Sequence, residues 1–499
     1  MSDKMSRFPQ GGPQTVRILK ELSKRSLDAK KLAYCDECGA CTGSCPVVRI
    51  FPRHFNPRVF FNKLFLEFAN VSTETDLWLC MMCYRCHSRC PHGLKLPEIF
   101  LSLREMVIEQ GYLQDVPSKL QEILEILREE IPLSLVYTWL CLRPGEEEPK
   151  RDKFDTAILD ALQRHIMDYK RKEVAPSPKT TKDKIAIIGS GPAGLTAAWE
   201  LVRRGFIVTV FEALSEPGGM LRVGIPEYRL PKEVLDAEIE HIKDLGVEIR
   251  TNTAIGKALL FNDLLGEERY TAIFIATGAH RSRKLRIEGE DMEGVVHALG
   301  LLRQVNLHKQ PRLGEKVGIV GGGNTAMDAA RTAQRLGAKK VNILYRRSRE
   351  EMPANPLEVE EAERSGVEIH FLLTPRKILG KNKQVVGAEC IRMKLGSPDE
   401  SGRRRPIPIE GSEFTIELDT AIIAIGESPD TSFLPNEIKV TEWNTIEVDP
   451  ITLETSLPGV FAGGDVVSGP ASVVEAIDAG KRAAISINRY LNGARVKFP

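Results

Sequence analysis

Residues 184–212 read KIAIIGSGPAGLTAAWELVRRGFIVTVFE, and residues 316–346 read KVGIVGGGNTAMDAARTAQRLGAKKVNILYR. Each is a β-branched run, a glycine turn, an Ala-rich helical stretch and a second β-branched run. A strand that feeds a helix through glycines lets a pyrophosphate reach backbone N–H groups at the helix N-terminus, so each unit predicts a dinucleotide-binding fold. Each copy is followed in its own half by a strand ending in glycine, ATG at 276–278 and AIG at 424–426. Two Rossmann-like folds in tandem are therefore expected, their parallel sheets built from KIAIIG, FIVTVFE, TAIFIATG, KVGIVG, KVNILYR and TAIIAIG.

The first copy carries Gly189, Gly191 and Gly194, with Pro192 and Ala193 opening the helix and Gly278 closing the later strand. Glu212, at the end of the second strand, stands where an acid would bind a ribose hydroxyl. Far downstream, VFAGGDVVSGPASVVEAIDAGKRAAISI predicts a strand into Gly464 and Asp465, then a helix beginning near Ala471. Asp465 would accept a hydrogen bond from a ribityl chain, and the helix N-terminus would face a flavin pyrimidine or phosphate. The plainer reading is a strand–turn–helix with a capping Asp. In the second copy Gly321, Gly323, Asn324, Thr325 and Ala326 form the turn, alanine replacing the third glycine. At the position of Glu212 stands Arg346, followed by Arg347 and then Arg349. A carboxylate there would repel a 2′-phosphate that guanidinium groups can clasp, so NADPH is favoured over NADH. An arginine cluster on a solvated edge is the alternative.

Eight of the ten cysteines form two runs, Cys35-x2-Cys38-x2-Cys41-x3-Cys45-Pro46 and Cys80-x2-Cys83-x2-Cys86-x3-Cys90-Pro91. Three thiolates two residues apart wrap one [4Fe-4S] cubane while the fourth is directed to the neighbouring cluster. The spacing thus assigns Cys35, Cys38, Cys41 and Cys90 to one cluster, and Cys80, Cys83, Cys86 and Cys45 to the other. Zinc also uses Cys-x2-Cys pairs, but a three-plus-one pattern repeated with proline in both places is a cluster pattern. Cys141 and Cys390 stand alone and read as buried small hydrophobes. His87 and His92 lie among ligand sets that are already complete. Between the runs, FNPRVFFNKLFLEFAN reads as a helix, so the module is expected to be helical.

Several of these stretches resemble known families. YCDECGACTGSCPVVRI and LWLCMMCYRCHSRCPHG resemble the helical ferredoxin module of heterodisulfide reductase and, more distantly, the cluster domain of the glutamate synthase small subunit. IGSGPAGLTAAWEL, EPGGMLRVGIPEYRLPKEVLDAEIEHIKDLGVEI, ATGAH, YRRSREEMPA and FAGGDVVSGPASVVEAI, in that order over about residues 182–495, resemble the NADPH-dependent flavoprotein family of the glutamate synthase small subunit. That resemblance implies that FAD is held by Gly189, Gly191, Gly194, Glu212, Gly219, Leu221 and Asp465.

The expected architecture is multidomain α and α/β: a helical ferredoxin module with linker over 1–176, an FAD-binding domain over 177–282 and 427–499, and an NADPH-binding domain over 283–426. PEIFLSLREMVIEQG, PSKLQEILEILREEI and DTAILDALQRHIMDYKRK read as amphipathic helices before a linker at Val174–Lys184. With 69 Lys+Arg against 68 Asp+Glu, the chain has no general field for nucleic acid. The start is polar and broken by Pro and Gly, unlike a secretory signal, and no run of about 18 apolar residues occurs, so a cytoplasmic protein is expected. The expected reaction passes electrons between NADPH, FAD, two [4Fe-4S] clusters and a partner redox protein within a hetero-oligomer. Candidate partners are a hydrogenase, a formate dehydrogenase, a heterodisulfide reductase-like complex or the glutamate synthase large subunit. The cofactors supply the chemistry, so no catalytic acid, base or nucleophile is expected. A thioredoxin reductase-type enzyme would need a redox pair, and neither nucleotide half has a Cys-x-x-Cys. The remaining rival is a relay or scaffold subunit that does not use NADPH. The basic stretch TVRILKELSKRSLDAKK reads as a solvated helix face.

Overall fold

The structure, a computed structural model, describes residues 22, 35, 38–66, 76–109, 116–134, 136–137, 177–399 and 403–493. The helix expected over 155–172, the basic stretch 15–31 apart from Leu22, the start of the linker and Cys141 lie outside the described residues.

Two five-stranded parallel sheets organise the larger part. The first contains β1 (Lys184–Ile188), β2 (Ile207–Phe211), β3 (Glu248–Arg250), β4 (Ala272–Ile275) and, from the end of the chain, β10 (Val460–Ala462), in the order β10-β4-β1-β2-β3. The second contains β5 (Val295–His297), β6 (Lys316–Val320), β7 (Lys340–Tyr345), β8 (Glu368–Phe371) and β9 (Thr420–Ile423), in the order β5-β9-β6-β7-β8. β1 and β6 are near-continuous apolar runs, as strands covered on both faces must be, and all but their first residues are buried. Helix α1 (Pro192–Arg203) crosses from β1 to β2, and α2 (Asn324–Arg335) from β6 to β7. Helix α3 (Pro356–Arg364) precedes β8. The long α4 (Val473–Leu491) lies on α1 so closely that a Cβ at Gly480 would collide with the carbonyl oxygen of Ala193.

Between β8 and β9 the chain makes antiparallel strands Leu373–Lys381, Gln384–Pro398, Arg404–Pro408 and Phe414–Glu417, an excursion that the strand–helix alternation did not foretell. The N-terminal part is helical among its described residues: Ala40–Ser44, Pro46–Ile50, Pro57–Leu66, Asp76–Leu79, Arg85–Arg89, Leu96–Glu109 and Val116–Glu130. Its core is aromatic, with Phe60 stacked on Phe100 at 4.7 Å between centroids and Phe51 edge-on to Tyr137 at 5.6 Å. Tyr137 Oη donates to Leu79 O at 2.7 Å, while Arg104 donates to Leu77 O and Cys80 O, both at 2.9 Å. Those three bonds satisfy the backbone that leads into the second cysteine run.

This core is continuous with that of the first sheet. Ion pairs mark the join: Arg49 with Asp478 at 3.2 Å, Lys481 with Glu130 at 2.9 Å, and Arg85 with Glu475. Three of their partners lie on α4, so one helix carries both the helical module and the nucleotide fold. Among the described residues no helix is long and apolar enough to cross a membrane.

Candidate functional site

From Gly39 and from Tyr84 onward the two cysteine runs have the same local backbone. Gly39 (φ 77°) and Tyr84 (φ 58°) precede helices Ala40–Ser44 and Arg85–Arg89, which pack together, and Cys45 and Cys90 leave those helices extended. Tyr84 holds a left-handed conformation that a bulky residue rarely adopts. Burial pushes the Cys45 thiol up to about 11, with Cys83 and Cys41 adding to the rise. Cys86 is raised by burial and then by Cys80, Cys83, Cys45 and Cys41. Cys45, like Cys41, therefore lies within electrostatic reach of the second run's thiols. Four such groups would repel one another as thiolates, and a bound iron cluster would relieve both the repulsion and the burial, so this donor set fits one. Cys35 and Cys38 are exposed, and Cys35 is a charge neighbour of Cys41. Cys390 is fully buried, its thiol pushed up to about 12 by that burial. His87 Nδ1 lies 3.3 Å from Leu94 O and has no place in a thiol set.

In the first nucleotide half, Gly189 has φ 103°, and a Cβ there would come within 2.5 Å of Ala276 O. A Cβ at Gly194 would overlap Gly189 O, whereas one at Gly191 would meet nothing within 4 Å. The turn is thus tight behind and open in front, a cradle for a phosphate. No side chain caps α1, so its leading N–H groups are left for a ligand. Glu212, 6% exposed, accepts from Ser190 N at 3.1 Å, from Ser190 Oγ and from Leu214 N at 2.8 Å. Oε1 takes only one of these bonds and keeps a lone pair for a ribose hydroxyl. Gly219 (φ 53°) lies against Gly191, Leu221 is fully buried, and Gly278 has φ 70°. Thr277 Oγ1 is buried without a protein partner beneath Gly189, a polar atom that a bound nucleotide would satisfy. Gly464 (φ 75°) turns the chain into a short helix, Asp465–Ser468, and α4 starts at Val473, two residues later than expected from the sequence. Ser472 and Glu475 close that start as a capping box. Burial lifts the Asp465 carboxyl to about 7, opposed by the Ala471 N–H and reinforced by Glu475 and Glu427.

The second half repeats the cradle. A Cβ at Gly321 would collide with Ala424 O, Gly323 faces open space, and α2 has no side-chain cap. Ala326 is fully buried. Asn324 Oδ1 accepts from Asn355 N at 2.7 Å, which tethers the turn to the start of α3. The three arginines of the sequence argument part company. Arg346 is exposed, Arg347 is buried with its guanidinium on Asp399 at 2.6 Å and Arg404 O at 2.8 Å, and Arg349 pairs with Glu363. A fourth, Arg403, comes from the antiparallel excursion to the same wall as Arg346. Although exposed, Arg346 is depressed by desolvation along that wall and by the neighbouring positive Arg347 and Arg403.

Two cavities join these parts. One, of about 780 Å³, is walled by Met81–Tyr84 of the second cysteine run, by Asn324 and Thr325, and by Asp465 and Ala471. The other, of about 1240 Å³, runs from the Gly321–Thr325 turn past Arg346 and Arg403 to Trp443. Arg229, from the first half, grips the second: it holds both oxygens of Asp328 at 2.8 Å and Glu358 at 2.6 Å. Tyr228 beside it lies 3.7 Å under the Arg335 guanidinium. Sequence reasoning passed over Thr277, Tyr228, Arg229, Arg403 and Trp443. Thr277 lies inside the ATG motif and Tyr228 and Arg229 inside the GIPEYRLPKEV stretch, but none was given a role of its own.

Comparison with known proteins agrees with this geometry. Residues 183–480 match the pyridine nucleotide-disulphide oxidoreductases and residues 31–94 match the 4Fe-4S dicluster domain. The NADP(+)-dependent formate dehydrogenase subunit beta of Moorella thermoacetica is 43% identical over 435 residues, 81% of this chain and 60% of that protein. The NADPH-Fe(3+) oxidoreductase subunit beta of Geobacter sulfurreducens is 40% identical over 439 residues, 81% of this chain and 63% of that protein. This chain therefore spans less than two thirds of the length of those two relatives. The glutamate synthase [NADPH] small chain of Azospirillum brasilense is 32% identical over 453 residues, 86% of this chain and 91% of that protein. Among solved structures, Mycobacterium tuberculosis FprA in complex with NADPH shares the fold, with a TM-score of 0.54 at 21% identity over 64% of this chain and 88% of that one.

Proposed function

Because the chain belongs to the pyridine nucleotide-disulphide oxidoreductase family and carries a 4Fe-4S dicluster domain ahead of that fold, we propose that it is a cytoplasmic NADPH-dependent iron–sulfur flavoprotein exchanging electrons with a partner redox subunit. The observation that carries this reading is the smaller cavity, where the second cysteine run, the nicotinamide-side turn and the flavin-side Asp465 form one wall. When bound, FAD exchanges electron pairs with NADPH and single electrons with [4Fe-4S] clusters, so the redox chemistry is that of the cofactors.

The chain's own residues hold and orient. Gly189, Gly191, Pro192, Ala193 and Gly194 cradle the FAD pyrophosphate, Glu212 takes a ribose hydroxyl, and Gly219, Leu221, Gly278, Gly464, Asp465 and Ala471 line the rest. Gly321, Gly323, Asn324, Thr325 and Ala326 cradle NADPH. Arg346 and Arg403 take its 2′-phosphate, and Arg347 braces them from behind. Cys80, Cys83, Cys86 and Cys45 hold the cluster beside the flavin, since Met81–Tyr84 share the flavin's cavity. Cys35, Cys38, Cys41 and Cys90 hold the outer cluster, and the exposure of Cys35 and Cys38 presents that cluster to the partner. We propose the division read from the sequence: a helical cluster module over 1–176, an FAD unit over 177–282 with 427–499, and an NADPH unit over 283–426.

The relatives bear the names of subunits of a formate dehydrogenase, an NADPH-Fe(3+) oxidoreductase and a glutamate synthase; a large partner of one of these kinds is the proposed electron acceptor or donor. Anaerobic reconstitution followed by metal and flavin analysis tests the reading. About eight irons per FAD and prompt bleaching of the flavin by NADPH are the expected results. Zinc in place of iron, or a flavin that neither NADPH nor NADH reduces, would overturn it. Anaerobic affinity purification from the native cell identifies the partner.

A further inference from the structure

Trp443 is 60% exposed, the most exposed of the large apolar side chains among the described residues. It is not on a featureless surface. The indole lines the larger cavity together with Arg346, Arg403 and the Gly321–Thr325 turn, although it belongs to a stretch of chain well beyond the second nucleotide fold. Its loop is built to hold it there: Thr441 N donates to Thr445 O at 2.8 Å, Asn444 N to Thr441 O at 3.0 Å, and Trp443 N to Thr441 Oγ1 at 3.2 Å. Asn444 takes φ 60° to close the turn. The Arg283 guanidinium lies 6.0 Å from the indole centroid, within reach of a cation–π contact. A planar, electron-rich ring fixed across a cavity from a phosphate-binding cluster is what a base needs for stacking.

The two cavities decide which base. Trp443 lines the one containing Arg346 and Arg403 and is absent from the wall that reaches Cys83 and Asp465, where the nicotinamide must face the flavin. We propose that Trp443 is a stacking platform for the adenine of NADPH, so that the adenosine end is held between the arginines on its phosphate and the indole on its base. This rests on the NADPH reading above and adds a residue that contributes affinity without touching the reacting ring.

The test is calorimetric titration of the holoprotein and of Trp443→Phe and Trp443→Leu with NADP⁺, adenosine 2′,5′-bisphosphate and nicotinamide mononucleotide. Removing a stacked base contact should weaken binding about tenfold. The leucine variant should show that loss for NADP⁺ and for the bisphosphate alike and none for the mononucleotide, and phenylalanine should recover most of it. In the wild type, the bisphosphate should also quench tryptophan fluorescence, and the quench should vanish in both variants. A bisphosphate affinity unchanged in the leucine variant, or a loss confined to the mononucleotide, overturns the proposal while leaving the NADPH reading intact. Failure of the wild type to bind NADP⁺ or the bisphosphate at all overturns both.

Discussion

The two nucleotide halves are one device built twice and finished differently. Behind the turn they match: Gly189 backs onto Ala276 O and Gly321 onto Ala424 O, and in both the second glycine looks into open space. They part at the third position, where Gly194 has no room for a Cβ and Ala326 carries one, fully buried. They part again at the end of the second strand. Glu212 is buried, with three local donors, whereas Arg346 is exposed beside Arg347 and Arg403. The shared features are steric and fit a phosphate; of the two differences the first is steric, and the second, acid against arginine, is electrostatic and on the proposed reading chooses the nucleotide.

The sharpest way to break the symmetry is at the third position. Gly194→Ala forces a Cβ onto a backbone oxygen that cannot yield, and the expected outcome is a protein that retains no FAD after desalting, read from the flavin-to-protein ratio. The mirror change, Ala326→Gly, adds only backbone freedom and should leave NADP⁺ binding within a few-fold of wild type. Next in size is the link between the halves. Arg229→Met removes the guanidinium that holds the buried Asp328 and Glu358, a loss of about 3–5 kcal/mol in denaturant titrations. Neutralising both acids in the same chain, with Asp328→Asn and Glu358→Gln, should recover much of that loss.

How far the sequence alone reached follows from this contrast. The glycine turns, the acid-to-arginine exchange and the cysteine runs were legible because each works over a few consecutive residues. Arg403 was not, because the antiparallel strands that carry it to Arg346 are placed by tertiary packing and have no spacing to the fingerprint. Arg229 and Trp443 are likewise set by what lies across a boundary. Adjacency in a basic run does not show that Arg347 lines the cavity of Arg346 while bonding Asp399 and Arg404 O, nor that Arg349 pairs with Glu363. The start of α4 slipped two residues because Ser472, not Ala471, supplies the cap.

A milder change tests the electrostatic half of the contrast. Arg346→Ala removes one of the guanidiniums proposed to hold the 2′-phosphate and should raise the KM for NADPH by about tenfold, a charge-assisted hydrogen bond being worth about 1.5–3 kcal/mol when buried and less on an exposed edge. The KM for NADH, which lacks that phosphate, should stay put. Equal losses for both nucleotides would mean that Arg346 supports the fold of the second half and does not select its ligand.

The smallest effect concerns a carboxyl that the second half lacks. Asp465 closes the first half from the far end of the chain, and its burial, with Glu475 and Glu427 nearby, raises it from 3.8 to about 7. Between those values the folded protein keeps a proton that the unfolded chain releases. Its contribution to stability is therefore complete below about pH 4 and is lost as the pH rises through about 7. The thermal midpoint should fall by a few degrees more between pH 5.5 and pH 8.5 in the wild type than in Asp465→Asn, which cannot ionise. Parallel profiles would mean that the carboxylate is already compensated, by the Ala471 N–H or, on the proposed reading, by the ribityl hydroxyls of FAD.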